Sequence, residues 1–588
     1  MLSYIWKYKR SLIFIKTLVS VIGAAYTFID IYFIKWIFDA LESKDSIIFL
    51  LIIIVVVGAI HVFVGFINSV YSNTVQPRMS LLVSEKINNE MISKAMQVDL
   101  SCYEDTQFFD IYTRALAETD TRVNAVLNTF AGIVSSILNV GVIISLISSI
   151  DVVFVIFGLV AAVSAFFHGI IINKISYAEN VDKTPYIRKL DYVKRVIYQT
   201  EYAKEIKMNT QLTELLKEMF ENGTKGACEF VNKYGKKRVV INSVFSIIQL
   251  LFENIFPWLL IVVRVFFGGI TLGSAAAIFN ATTQLPYSLN ALFNVVPQMH
   301  QHSMYIENLR TILNYKSKIE NCATKKSLPN EFKTISFDNV SFSYFKSVDL
   351  AINNLSMDIH KNKKIALVGT NGSGKSTLVK LLTRLYDPTE GYIRIDGYDI
   401  RQFDAQKYRE LFGLCFQDYM VYAMTVAENI LMRKVSCKDD VEKVERALKQ
   451  VGLYNRIKKL PRYIDTVLTK EFDNDGLLLS GGELQKLVLA RVFASDAKII
   501  VLDEPSSSLD PISEYEINKT IFEKVNDKTV VLISHRLSTT VDADMIYYIE
   551  SGTIIESGNH KELMERNKAY ANLFTLQAEN YIQGTKKE

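Results

Sequence analysis

The chain has 588 residues, 49% hydrophobic and 22% charged, with a mean hydropathy of +0.16. That balance excludes a disordered chain, and 26 glycines with 10 prolines exclude collagen-like and low-complexity classes. A net charge of +4, from 66 basic and 62 acidic residues, gives no reason to expect a nucleic-acid partner.

From the N-terminus onward, stretches with few or no charges recur at the length needed to cross a bilayer, about 20 residues. Six spans are expected, at about 13–38, 46–68, 125–149, 152–174, 241–264 and 272–297. The first is interrupted by Asp30 and Lys35, and between Val239 and Val263 in the fifth the only charge is Glu253. An acid at that depth costs roughly 2.5–3.5 kcal/mol. Glu253 and Asp30 therefore read as contacts for a cationic or polar cargo group, or as partners of Lys35 or Asn254 inside the bundle. Lys16 and Arg264, near span ends, reach toward the interface.

Loop charges orient the spans. Segment 69–122 carries five basic residues and 174–238 carries fourteen, whereas the other connections carry one or none. Basic loops stay inside, so both termini, and everything after about residue 300, are expected in the cytoplasm of a multi-pass cell-membrane protein, most simply a bacterial plasma membrane. No cleaved signal peptide is expected. The five cysteines, Cys102, Cys228, Cys322, Cys415 and Cys437, fall in inner segments without metal-like spacing, so neither disulfides nor a zinc site is expected. The two long inner loops carry helical periodicity at Leu81 to Met96 and Tyr186 to Met208. They read either as solvated hairpins or as helices that dock on something, the second favoured by Tyr198, Tyr202, Ile206 and Met208.

Composition changes near residue 310. The polar segment 311–332 reads as a linker between a membrane domain, 1–310, and an α/β domain, 333–580. There an apolar strand, Lys363 to Val368, leads into Gly369-Thr370-Asn371-Gly372-Ser373-Gly374-Lys375-Ser376-Thr377 and then a helix. This is the G-x-x-x-x-G-K-[ST] phosphate loop in its strand–loop–helix setting. Its backbone N–H groups and helix N-terminus favour phosphate. Lys375 is placed for the β/γ-phosphates and the Ser376 hydroxyl for Mg²⁺.

Further on, Leu479-Ser480-Gly481-Gly482-Glu483 opens a helix. Ser480 and Glu483 form a capping box, which leaves the two glycines unexplained. Glycines at a helix start permit close approach of a phosphate. One chain already owns one phosphate cradle, so a second makes sense if it closes over another subunit's nucleotide. The strand Ile499 to Leu502 ends in Asp503 and Glu504, placed respectively to hold Mg²⁺ through water and to act as general base on the attacking water. The alternative is an acidic pair capping a neighbouring helix.

Together the phosphate loop, LSGGE, the IIVLDE strand, Ser507-Ser508-Leu509-Asp510 and Ile533-Ser534-His535 resemble the ATPase domain of ABC transporters. Six spans with long inner loops ahead of it resemble the exporter-type half-transporters of that superfamily. The resemblance implies an all-α polytopic membrane domain followed by an α/β P-loop ATPase domain, with ATP and Mg²⁺ as cofactors. It implies that Tyr344 stacks on adenine, a strand tyrosine otherwise explained by packing. It implies that Gln417 senses Mg²⁺ and water, that Asp510 communicates across a dimer, and that His535 contacts the γ-phosphate. Short coupling helices are expected at Asp105 to Tyr112 and Tyr202 to Met208.

Two departures stand out: Glu483 where the family commonly has Gln, and Thr469 to Gly476 in place of a glycine-rich run. No cysteine-protease domain precedes the first span, so an exporter that trims leader peptides is not expected. The implied function is ATP-driven export of an amphipathic or hydrophobic drug-like compound, peptide or lipid by a dimer in the lipid bilayer. A homodimer is favoured over a heterodimer. The alternatives are an importer of a small chelate on the same scaffold and an ATP-gated channel or regulator.

Overall fold

In a computed structural model, residues 2–44, 46–319, 326–329, 331–345, 347, 349–505, 511–524 and 527–584 are described. The chain forms two compact units, one of residues 1–94 with 111–314 and one of residues 95–110 with 315–588.

The first unit is all helix. Leu2–Glu42 is followed by Ile47–Val70, which continues through a π-helical turn, Tyr71–Val75, into Gln76–Ala95. Thr106–Ile150 (whose first residues lie in the second unit), Val153–Tyr198 and Thr200–Met208 come next. Thr210–Gln249 passes through a second π-helical turn, Leu250–Ile255, into Phe256–Phe266, and Leu272–Phe293 and Val295–Leu313 complete the unit. Five helices among the described residues are long and apolar enough to cross a membrane. Val153–Tyr198, at 46 residues, is about 69 Å long at 1.5 Å per residue, far more than the bilayer core needs, so its polar second half continues beyond the hydrocarbon.

The sixth expected span folds as the helix Leu272–Phe293 but is not among those five. Asn280, Thr282, Thr283, Gln284 and Asn290 lower its hydropathy. It is an interior helix: Gly273, Ala277, Ala281, Thr282 and Leu285 are buried, so its surface need not match lipid. Opposite to it stands Ile47–Val70, whose Ile47, Val55, Val62 and Phe66 are all exposed hydrocarbon. The short connections between spans are pinned by polar contacts. Thr271 Oγ1 donates to Asp39 at 2.9 Å, and Arg264 pairs with Asp151 at 2.9 Å. In the polar extensions, buried Glu179 pairs with Arg238 at 2.6 Å. There Gly223 and Gly226 let Leu190 and Tyr186 approach where a Cβ would collide.

The second unit carries two sheets. β1 (Thr334–Phe342), β2 (Ile352–His360), β4 (Glu390–Ile395) and β5 (Tyr398–Asp399) form an antiparallel sheet in the order β2-β1-β4-β5. β3 (Lys364–Gly369), β6 (Phe412–Cys415), β7 (Ile499–Asp503), β8 (Thr529–Ile533), β9 (Met545–Glu550) and β10 (Thr553–Gly558) form a mainly parallel sheet in the order β10-β9-β3-β8-β7-β6. β7 and β8 are buried at every position, as parallel strands covered on both faces require. A helical region around Val444, Leu448, Leu487 and Leu489 has its own apolar core.

Segment 311–332 is less of a free tether than its polarity implies. The helix runs to Leu313, Phe332 is buried in the core of the second unit, and the buried Arg384 guanidinium donates to the Ile319 carbonyl at 3.0 Å. The expected coupling helix at Asp105 to Tyr112 is displaced: the short helix is Leu100–Glu104, and Thr106 already begins a long one. The second expectation falls on the helix Thr200–Met208. Cys102, Cys228, Cys415 and Cys437 are free thiols, and Cys322 lies outside the described residues. Burial pushes the Cys415 thiol up to about 12, which keeps it protonated and inert.

Candidate nucleotide site

Four neighbouring strands, β3, β8, β7 and β6, run parallel and deliver the site's parts at their carboxyl ends, where ligands gather in such sheets. β3 runs into the phosphate loop, β7 ends at Asp503, β8 leads through Ser534 to His535, and β6 leads through Phe416 to Gln417. Register brings them level, with Ile533 beside both Leu367 and Asp503, and Leu502 beside Cys415.

The loop needs its glycines. Gly369, Gly372 and Gly374 have φ of +155°, +76° and +104°. A Cβ at Gly369 would stand 2.1 Å from the Ile549 carbonyl oxygen, and one at Gly374 would stand 2.7 Å from that of Ala351. Lys375 lies inside the curl and donates to the carbonyls of Gly369 at 3.0 Å and Thr370 at 2.7 Å, and to Ser373 Oγ at 3.4 Å. Burial lowers its pKa, against the carboxylates of Glu504 and Asp503. The helix Lys375–Leu382 begins there and adds positive potential at its N-terminus.

A cleft of about 670 Å³, the size of a small-ligand pocket, opens over the loop. Its walls include Tyr344, Asn371, Gly372, Gly374, Lys375, Ser376, Thr377, Gln417, Glu504 and His535. The Tyr344 hydroxyl is tied to Thr377 Oγ1 at 3.0 Å. Glu504 has φ of +50°, a costly conformation for a residue with a Cβ and one that recurs at active sites. Its carboxylate contacts His535 Nε2 at 2.6 Å and accepts from Gln417 Nε2 at 3.3 Å.

Asp503 is buried and hydrogen-bonded to Ser376, yet its Oδ1 has no partner. Burial raises its pKa, opposed by the Ser376 hydroxyl. An orphaned buried carboxylate oxygen beside a hydroxyl, in a cleft that Gln417 also lines, supplies hard oxygen donors, which fits Mg²⁺. Among the described residues no group of three His, Cys, Asp or Glu is placed to hold a metal ion.

Ser480, Gly481, Gly482 and Glu483 are not among the walls of this cleft. Their capping box is complete: Ser480 N–H donates to Glu483 Oε2 at 2.9 Å and Glu483 N–H to Ser480 Oγ at 3.4 Å. A Cβ at Gly481 would meet nothing within 4 Å, so the chain's own packing does not demand that glycine. Asp510 lies outside the described residues.

Two positioning glutamines were not foreseen. Gln485, buried on the helix that follows Ser480, donates to the Glu504 carbonyl at 3.3 Å. Gln577, on the helix Ala569–Gly584, donates to the His535 carbonyl at 2.7 Å and accepts from Leu537 N–H at 3.0 Å. The one sequence signal for Gln485 is a polar residue in the buried stripe of Leu487, Val488 and Leu489.

Fold and cleft define a P-loop ATPase domain behind a polytopic helical domain. Residues 352–507 match the family model described as ABC transporter. The chain is 27% identical to the subtilin transport ATP-binding protein SpaT of Bacillus subtilis, over 87% of this chain and 82% of that protein. It is 36% identical to the ATP-dependent lipid A-core flippase of Haemophilus influenzae over 52% of this chain, and there spans about half the relative's length, 51%. A solved structure of a bacterial Atm1-family ABC exporter with ATP bound shares the fold at 22% identity and a TM-score of 0.74, covering 97% of this chain and 98% of that one. Residues 352–507 thus carry the ABC transporter family's ATPase domain, and the chain over most of its length is similar to exporter-type half-transporters of that superfamily.

Proposed function

We propose that this chain is one half of a dimeric, ATP-driven exporter, most simply a homodimer, in which each ATP is held between one copy's cleft and the other copy's Ser480–Glu483. One observation carries this reading: the signature start lies off its own chain's cleft, with an unhindered glycine at Gly481. Lys375 and the loop N–H groups hold the phosphates, Tyr344 stacks on the base, and Asp510 communicates across the dimer. Ser376 and, with water, Gln417 and Asp503 would hold Mg²⁺, whose charge would offset that of the phosphates. Glu504 takes a proton from the attacking water, and His535 orients the γ-phosphate. ATP closes the dimer only by binding the closed state better than the open one.

The cargo class is an amphipathic or hydrophobic compound, peptide or lipid. The subtilin transport protein and the lipid A-core flippase among the relatives support this. Glu253 lies in the π-helical turn Leu250–Ile255, an irregularity frequent at functional sites. We assign it a contact with a cationic or polar cargo group. The ATPase domain and both termini lie in the cytoplasm of a bacterial cell, a reading supported by the basic loops.

The test is ATPase activity of the chain purified alone in lipid nanodiscs. The expected result is Mg²⁺-dependent hydrolysis that Glu504→Gln abolishes while ATP binding persists. A folded, ATP-binding chain without hydrolysis would replace the homodimer with a heterodimer.

A further inference from the structure

Residues 95–110 belong in sequence to the loop between the second and third spans, yet they fold into the ATPase unit. The helix Leu100–Glu104 is held there at both ends. At its start, buried Asp99 accepts from the Tyr315 hydroxyl at 2.7 Å, the Lys318 N–H at 2.8 Å and the Ser317 hydroxyl. Leu100 packs on the ATPase core.

At its end, Glu104 Oε1 stands 3.7 Å from Lys380 Nζ, on the helix that follows the phosphate loop. That same ammonium is 5.1 Å from the ring centre of Tyr344 and 5.8 Å from that of Tyr386. The two rings meet edge to face at 5.6 Å. Tyr344 in turn forms a wall of the nucleotide cleft. One cation thus touches the aromatic assigned to the base and the last residue of the loop helix.

We propose that Lys380 is a positioning residue that couples base binding on Tyr344 to docking of the helix Leu100–Glu104 through the Glu104 carboxylate. The partly exposed Lys380–Glu104 pair adds little stability on its own. Its effect is directional. A base that restrains the Tyr344 ring fixes the ammonium, and the fixed ammonium holds Glu104. By reciprocity, a docked helix raises affinity for the base and leaves affinity for the phosphates unchanged. The inference rests on the reading of the cleft as an ATP site and is independent of cargo and direction.

The test compares ATP with inorganic tripolyphosphate, which keeps the phosphates and lacks the base. Each competes against a fluorescent nucleotide on the full-length protein in nanodiscs with Mg²⁺. Lys380→Gln and Glu104→Gln should each weaken ATP roughly threefold to fivefold and leave tripolyphosphate unchanged. The double variant should lose no more than Lys380→Gln alone, and Lys380→Arg should retain wild-type affinity. Equal weakening of both ligands, additive losses in the double variant, or an unaltered Glu104→Gln would each overturn the proposal. Failure of the nucleotide-site reading would look different: wild-type protein would bind ATP no better than tripolyphosphate, and this inference would fall with it.

Discussion

Asp503 and Glu504 are adjacent carboxylates with opposite surroundings, and the different roles proposed for them rest on that. Asp503 is buried with one oxygen unpartnered, whereas Glu504 faces the cleft between two donor side chains. Because burial raises the Asp503 pKa, the folded chain binds that proton more readily than the unfolded one. The residue's contribution to stability is therefore present at low pH and lost as pH rises through the folded value. Asp503→Asn is expected to raise the melting temperature at neutral pH in EDTA and to flatten its pH dependence. It should also abolish the extra stability that Mg²⁺ with ATP gives the wild type, and lower hydrolysis at least about a hundredfold. Thermal melts with and without the metal check all three.

The signature helix shows how one departure from the family is absorbed. Glu483 fills the cap position, and its pKa is lowered chiefly by the Ser480 N–H and further by the Ser480 hydroxyl and Arg456. That stabilisation is present above the ordinary carboxylate pKa and is lost as pH falls through the lowered value. Ser480→Ala should cost about 1 kcal/mol of helix stability, whereas Glu483→Gln should keep the cap and remove the acid sensitivity, both read by hydrogen exchange at residues 480–485. The preceding loop closes without a glycine-rich run: Thr469 N–H donates to the Leu477 carbonyl at 3.0 Å. A Cβ at Gly476 would stand 1.7 Å from the Thr469 carbonyl oxygen, so Gly476→Ala should open this loop and raise exchange there. Asp99→Ala should release residues 315–318, detectable as new protease cleavage, because three donors lose one buried acceptor.

The proposed assembly splits each site between two copies, and this can be tested. In mixed dimers, a copy carrying Lys375→Ala paired with a copy carrying a disrupted Ser480–Glu483 puts both lesions in one composite site and leaves the other intact. Both lesions on one copy damage both composite sites. Nucleotide trapping should therefore survive in the first arrangement and collapse in the second, and the opposite order would show that each chain closes its own site.

Much of this was legible in the chain because the signals are local. An uncharged run long enough for hydrocarbon, a glycine loop between a strand and a helix, and an acidic pair ending an apolar strand each report within a dozen residues. Leu272–Phe293 was legible as an uncharged run, yet its polar residues keep it less apolar than the other spans, because an interior helix answers to its neighbours and not to lipid. The short helix at Leu100–Glu104 was placed several residues too late, since its position follows from distant partners, Tyr315 and Lys380, that no periodicity near it records. Gln485, Gln577 and the packed part of 311–332 were missed for the same cause: each acts through hydrogen bonds to residues distant in the chain. Chemistry is written in short motifs because phosphate and hydrocarbon impose their demands on neighbouring residues. The wiring between motifs is not, because a hydrogen bond or ion pair depends on distance in space, which chain order does not encode.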